Sequence, residues 1–439
     1  MLVFADRWKS LRTRYQEDRP HRMLALDGGG IRGLITLGIL EKIERLVKDK
    51  TGGKLCDYFD YIGGTSTGAI IAAGLARGMT TAELMEFYSS CGKQMFDPAW
   101  LVERIKYLYT ADPLKAKLQE VFGSATTLEP DNLKCLLLIV TKNVTTDSPW
   151  PVSSNPDSKY NDPARKDCNL KIPLWQLVRS STAAPVFFPP EVVQWDPSDQ
   201  SKTFVFVDGG VTPYNNPAFL LYRMATDPAY CLSWETGEDN LLLISIGTGA
   251  AESLGATAAR PNKNIVSTVA GLPSELMYGI QVDQDINCRT IGRCTYGVHL
   301  DREILDLVPR QLRPGMTTEE QCAASVVPLS TKLGRHFLYA RYNADLSSAG
   351  LANLGFRDVD AASIQKMDAV GNIPILIDIG RAAAQRVAAD HFGPFLSTRA
   401  IARAFIIRSF GTKNGINLAV VPKNPIAPGL TVCDIQGDN

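Results

Sequence analysis

Residues 21–34 read HRMLALDGGGIRGL, an apolar run followed by three consecutive glycines, an arginine and a fourth glycine. RMLALD (22–27) has the length and apolarity of a short buried strand. LITLGILEKIERLVKDK (34–50) then places Ile39, Ile43, Leu46 and Val47 at the spacing of one helix face. The order is strand, glycine loop, helix. CDYFDYIGGTSTGAIIAAGLARG (56–78) repeats it, with a strand ending near Ile62, a tight glycine turn and a small-residue helix stopped at Gly78. Two βα units in succession predict an α/β fold with a parallel sheet and helices packed on it.

Further buried strands are expected at KCLLLIV (134–140), FVFVDGG (204–210) and NLLLISIGTG (240–249). Thr145 to Asp167 is rich in Ser, Pro, Asn and Asp and reads as a long surface loop. Residues 260–345 offer no clear strand, and 373–396 read as an amphipathic helix with arginines on its polar face. No low-complexity linker and no internal repeat divides the chain.

The 439 residues carry 46 Lys plus Arg against 46 Asp plus Glu, so net charge is zero and the electrostatic footprint of a nucleic-acid binder is missing. The nine cysteines are scattered without a C-x-x-C pair, which predicts reduced thiols and no zinc site. The first twenty residues meet a charge at Asp6 before any signal-peptide core develops, and the longest apolar run is too short and glycine-rich to span a bilayer. A cytoplasmic protein is expected, with membrane contact limited to the periphery.

Gly64-Thr65-Ser66-Thr67-Gly68 is a G-x-S-x-G pattern between a strand and a helix, the context of a nucleophile elbow. A serine held on a strained turn leaves no room for side chains two positions either way, and the helix N-terminus favours a developing alkoxide. The alternative is a serine that only caps the helix. Ser66 needs a base, but His21 sits at the wrong end of the first strand and His299, His336 and His391 stand in segments without a motif. Asp208, at the end of FVFVD and followed by Gly209 and Gly210, is the best candidate. A carboxylate is a weak base, so it must bond the serine directly in a dry site. Gly28, Gly29 and Gly30 can turn successive N–H groups toward one point as an oxyanion hole.

DGGGIRG (27–33), GTSTG (64–68) and DGG (208–210), in that order, resemble the patatin-like phospholipases, and SSTAAPVFFPP (180–190) and LLLISIGTG (241–249) are also similar to family segments. The resemblance implies a three-layer fold with a central mostly parallel sheet flanked by helices. It also implies lipid acyl hydrolysis by a serine–aspartate dyad, without metal or cofactor. Ser66 would be the nucleophile, Asp208 the base, and the Gly28 to Gly30 amides the oxyanion hole. Arg32 falls on the family's basic position, and Gly64, Gly68, Gly209 and Gly210 support the turns. The third motif reads D-G-G where many members have D-G-A, which leaves the dyad intact.

The catalytic domain is expected over 20–330, with a mainly helical C-terminal extension over 331–439 packed on it. Residues 250–439 resemble the C-terminal portions of bacterial cytosolic patatin-like proteins, some of which are anti-phage effectors switched on by a cyclic nucleotide. That implies phospholipid as substrate and a cyclic-nucleotide activator. Arg381, Arg386, Arg399 and Arg403 would either meet phosphates or form a solvated face. QMFDPAWLVERIKYLYTADP (94–113) reads as a lid or interfacial helix, or as an ordinary helix packed on the sheet.

Two other classes stay open. Gly28 to Gly33 also satisfies the G-x-G-x-x-G dinucleotide fingerprint, although DKTGGKLCD (49–57) lacks the strand-end acid that would hold a ribose. A patatin-like scaffold without catalytic function is the other. Neither glycine cluster continues into the G-K-[ST] of a P-loop, and Leu243 stands where a second elbow around Ser245 would need glycine.

Overall fold

A computed structural model describes residues 9–95, 112–185, 187–251, 265–297 and 335–396, all within one compact unit. In chain order the strands are β1 (His21–Leu26), β2 (Tyr61–Thr65), β3 (Leu136–Asn143), β4 (Ser148–Ser153), β5 (Glu191–Gln194), β6 (Thr203–Asp208), β7 (Leu241–Ile246), β8 (Arg293–Tyr296) and β9 (Leu338–Tyr342). The principal helices are α1 (Lys9–Gln16), α2 (Gly33–Thr51), α3 (Thr67–Ala76), α4 (Thr81–Met95), α5 (Asp112–Phe122), α6 (Leu174–Ser181), α7 (Ala218–Thr226), α8 (Ile265–Ile291) and α9 (Ile373–Ala383).

The described strands form one sheet in the order β5-β6-β3-β2-β1-β7-β9-β8, with β4 branching from β3. β3, β2, β1, β7, β9 and β8 run parallel, while β4, β5 and β6 are antiparallel additions at one side. A parallel sheet covered on both faces needs strands that are apolar at every position. Leu241 to Leu243 and Leu136 to Val140 are fully buried accordingly. Leu24, Leu26, Leu242 and Ile244 join the core cluster that includes α2 and α3, whereas Met23, Ala25, Leu241 and Leu243 join the one that includes α7.

Both expected βα units form, the second with its strand at Tyr61–Thr65 rather than ending near Ile62, because Leu55–Tyr58 is helical. α2 ends at Gly52, whose left-handed φ of 71° closes the last turn. All ten residues of α3 are buried. A helix apolar on every side has to lie inside the protein, and burying Ile70, Ile71 and Leu75 contributes roughly 1.5–3 kcal/mol each.

Three expectations change. The stretch 145–167 contains β4, an edge strand, which is where Pro149 and Pro151 are tolerated because a missing N–H faces no further neighbour. The region 260–345 contributes β8 and β9. β9 is interior to the sheet, so a boundary at 330 would cut through the sheet, although the elements described after β9 are helical. β9 is obscured in the sequence by Arg341, a charge in the middle of LYARY. Its guanidinium is buried and donates from Nη1 to Asp27 Oδ1 at 2.8 Å and from Nη2 to Asp27 Oδ2 at 2.6 Å, with Ser245 Oγ accepting from Nη1 at 2.7 Å. The amphipathic pattern over 373–396 is helical first as α9 and then as shorter turns that break at Gly393.

This bidentate pair fastens β9 to the residue that opens the glycine loop. Removing one member strands a buried charge, so Arg341→Ala should destabilise the fold by about 3–5 kcal/mol in urea titration. The paired replacement Asp27→Leu with Arg341→Met should restore most of that loss.

Candidate active site

Ser66 lies between β2 and α3 with φ 55° and ψ −123°, a conformation that costs a non-glycine residue about 1–3 kcal/mol. The surrounding backbone enforces it. A Cβ on Gly64 would lie 2.1 Å from the Gly68 carbonyl oxygen, and one on Gly68 would lie 2.3 Å from the Leu26 oxygen. The Ser66 N–H donates to Ser181 Oγ at 2.9 Å, and that hydroxyl donates to the Val140 carbonyl at 2.6 Å. Thr67 bonds the hydroxyl of Tyr88 from α4, which fixes the start of α3.

Asp208 arrives from a different direction. β2 pairs with β3 as far as Thr65 opposite Val140, and β6 pairs antiparallel with the next residues of β3, placing Asp208 opposite Thr141. The elbow serine and the strand-end aspartate therefore meet at one level of the sheet. Ser66 Oγ donates to Asp208 Oδ2 at 2.6 Å, and the Gly210 N–H donates to Asp208 Oδ1 at 2.7 Å. Burial pushes the Asp208 carboxyl up to about 6; the Ser66 and Gly210 bonds and the positive charge of Arg179 pull the other way.

The glycine loop faces this pair. The Gly28 N–H is engaged by the Asn215 carbonyl at 3.1 Å, so of the three amides expected to face an oxyanion this one is taken, whereas the Gly29 and Gly30 N–H groups have no acceptor among the described residues. A Cβ on Gly28 would lie 2.3 Å from Asn215 Oδ1 and 3.1 Å from Ser66 Cβ, so the space beside this glycine is taken first by Asn215 and then by the serine. Thr248 Oγ1 donates to the Gly28 carbonyl at 3.0 Å and the Ile31 N–H to the Met367 carbonyl at 2.8 Å, holding the loop from behind. Arg32 has no ion-pair partner among the described residues; its Nε donates to the Gly29 carbonyl at 3.4 Å, and burial lowers its pKa to about 10.

Ser66, Asp208, Gly29 and Gly30 line one cavity of about 150 Å³, whose remaining walls are largely apolar and include Ile70, Leu114, Phe187, Phe188 and Met367. The described histidines lie elsewhere. His21 is stacked on Trp234 with ring centroids 4.0 Å apart, His336 bonds Tyr222 and His391 bonds Tyr342. His299 and most of the expected lid, residues 96–111, lie outside the described residues. Ser245 is structural, held by Arg341. Arg381 pairs with Glu41 at 2.8 Å, and Arg399 and Arg403 are outside the described residues. No described helix is long and apolar enough to cross a membrane.

Residues 24–222 match the family described as patatin-like phospholipase. This segment is a patatin-like phospholipase domain. A cGAMP-activated phospholipase of Vibrio cholerae is 35% identical over 226 residues, covering 47% of this chain and 59% of that protein. A cGAMP-activated phospholipase of Escherichia coli is 33% identical over 243 residues, covering 53% and 63%. Patatin-17 of Solanum cardiophyllum is 31% identical over 251 residues, covering 54% and 62%. The matches span about three fifths of these relatives. The patatin-like segment ends before β7 and β9, so Thr248 and Arg341, which brace the glycine loop, lie beyond it.

The roles of Ser181, Tyr88, Thr248 and Met367 are not evident in the sequence. SSTAAP and GTG mark the first and third only as similar segments, and nothing local to Tyr88 or Met367 points to the site.

A carboxyl raised from 3.8 to about 6 binds its proton more tightly in the folded state, so its contribution to stability is full below about pH 4 and is lost as pH rises through 6. Asp208→Asn, which removes that buried charge, should therefore be more stable than the parent by about 2–3 kcal/mol at pH 7.5 in urea. The difference should vanish near pH 4.

Proposed function

We propose that the protein is a serine lipid acyl hydrolase of the phospholipase A type. The observation that carries this reading is the 2.6 Å bond from Ser66 Oγ to Asp208 Oδ2 beside an apolar cavity. The carboxylate is a better base than a free aspartate because burial raises its pKa to about 6. Asp208 takes the Ser66 proton as Oγ attacks the ester carbonyl carbon, and the Gly29 and Gly30 amides receive the oxyanion. Collapse expels the alcohol, which leaves with the proton from Asp208, and the acyl group remains on Ser66. A water molecule then gives its proton to Asp208 and attacks the acyl carbon. The departing Ser66 oxygen takes that proton back, and the fatty acid is released.

The apolar wall suits an acyl chain, and the polar groups gather at the reacting end, as the cleavage of a membrane lipid by a peripherally bound enzyme requires. Relatives named cGAMP-activated phospholipase support a cyclic-nucleotide activator for this chain as well. The segment 94–113, from the end of α4 to the start of α5, is assigned to interfacial contact on its aromatic composition. The dinucleotide-binding alternative is disfavoured by the match of residues 24–222, which include the glycine loop, to the patatin-like phospholipase family.

Ser66→Ala and Asp208→Ala should each lower hydrolysis by about 10³-fold or more with circular dichroism unchanged. Full activity in either variant overturns the assignment. Incubation with a panel of phospholipid vesicles, with and without cGAMP and other cyclic dinucleotides, followed by mass spectrometry, should yield free fatty acid and lysophospholipid. Release of a phosphorylated headgroup instead would exclude an acyl hydrolase.

A further inference from the structure

Helix α6 carries a side chain that the dyad chemistry leaves unexplained. Arg179 is fully buried, yet among the described residues only its Nη2 has an acceptor, the Pro189 carbonyl at 2.8 Å, and Nε and Nη1 have no hydrogen-bond partner there. Its guanidinium lies 5.5 Å from the centre of the Phe188 ring, and no carboxylate forms an ion pair with it among the described residues. A buried cation in this condition costs several kcal/mol, so a hydrophobic residue of similar volume would make a more stable protein. Phe188 lines the cavity but Arg179 does not, which removes it from direct contact with substrate.

The surroundings of α6 indicate what the charge acts on. Ser181, two residues on, accepts the Ser66 N–H, and the Ala183 carbonyl accepts the Asp208 N–H at 3.0 Å, so this segment is fastened to both members of the dyad. Two carboxylates act on the guanidinium, Glu191 of β5 and Asp208 of β6. Glu191 is bonded by Gln176 at 3.1 Å. Asp208 is bonded by the Ser66 hydroxyl and the Gly210 amide, and the positive charge of Arg179 favours its ionised form. On β3, Thr141 opposite it is neutral, and Lys142 is drawn away to Asp147 at 2.8 Å.

We infer that Arg179 is a positioning residue for the dyad, a buried positive charge behind Phe188 that keeps Asp208 ionised in a site too dry to hold a carboxylate by itself. The inference rests on the proposed dyad. Its physical content is a balance of two opposing effects: burial favours the protonated acid and the guanidinium field favours the base. Without the cation the base is protonated over more of the neutral range. The unfavourable burial of Arg179 is then offset by function, as at other sites where local rules are broken.

The test is the rate of Ser66 phosphonylation by a water-soluble fluorophosphonate, followed against pH on the full chain. For the parent, labelling should rise with a midpoint near 6. Arg179→Met should move the midpoint upward by about one pH unit, slowing labelling about fivefold at pH 6 and less than about twofold near pH 9. Its melting temperature should stay level or rise, because two unsatisfied buried groups are removed. Arg179→Lys, which keeps the charge, should retain the parental midpoint. A folded Met variant with an unmoved midpoint overturns the inference, as does a Lys variant that moves as far as Met. A Met variant that fails to fold, or loses labelling equally at every pH, makes Arg179 structural and also overturns it. Absence of Ser66 labelling in the parent overturns the dyad itself and this inference with it, an outcome distinct from an unmoved midpoint.

Discussion

The site depends on one hydrogen bond of 2.6 Å between two residues 142 positions apart, Ser66 and Asp208. A serine–aspartate pair has no imidazole to span a gap, so the two backbones must be brought within the reach of two short side chains. The sheet meets this demand by ending β2 one step early. Thr65 is the last residue of β2 to pair with β3, at Val140, and β6 enters antiparallel to pair Asp208 with Thr141. Ser66 and Asp208 are adjacent because two strands share the end of a third.

That arrangement carries costs that the remainder of the fold offsets. Ser66 occupies a strained φ, Asp208 holds a charge in a dry place, and Arg179 is buried with two unsatisfied nitrogen atoms. Each is tolerable because the neighbouring elements are held by many cooperative contacts: α3 and β7 are wholly buried, β1 is buried except at Arg22, and the Ser66 amide is bonded through Ser181 to β3. Local strain of this kind persists where surrounding structure over-determines it.

The glycine loop shows how far the support extends. Its amides come from residues 29 and 30, yet the groups that brace it, Asn215, Thr248, Arg341 and Met367, come from four later segments. The patatin-like segment at 24–222 contains Ser66 and Asp208, and strands beyond it complete the sheet that positions the loop. Residues after 330 are thus part of the architecture of the site.

Much of this is legible in the chain because it is decided by near neighbours. A serine two residues from each of two glycines, between a β-run and a small-residue run, specifies its own turn, and an apolar run of five or six residues specifies a buried strand. Ser66, Asp208 and the glycine loop are therefore identifiable from short motifs. β9 is not, since Arg341 in an apolar strand reads as a surface position until Asp27, 314 residues away, is seen beside it. The engagement of the Gly28 amide, the antiparallel entry of β6 and the unpaired Arg179 are equally invisible, because each depends on which distant segment lies alongside. The sequence by itself determined the turns, the strands and the chemical candidates, which short-range sterics and burial dictate. The tertiary structure alone decided which amides remain free, how Asp208 is brought to the serine and which charge lies behind it, because those depend on strand order and register across the whole sheet.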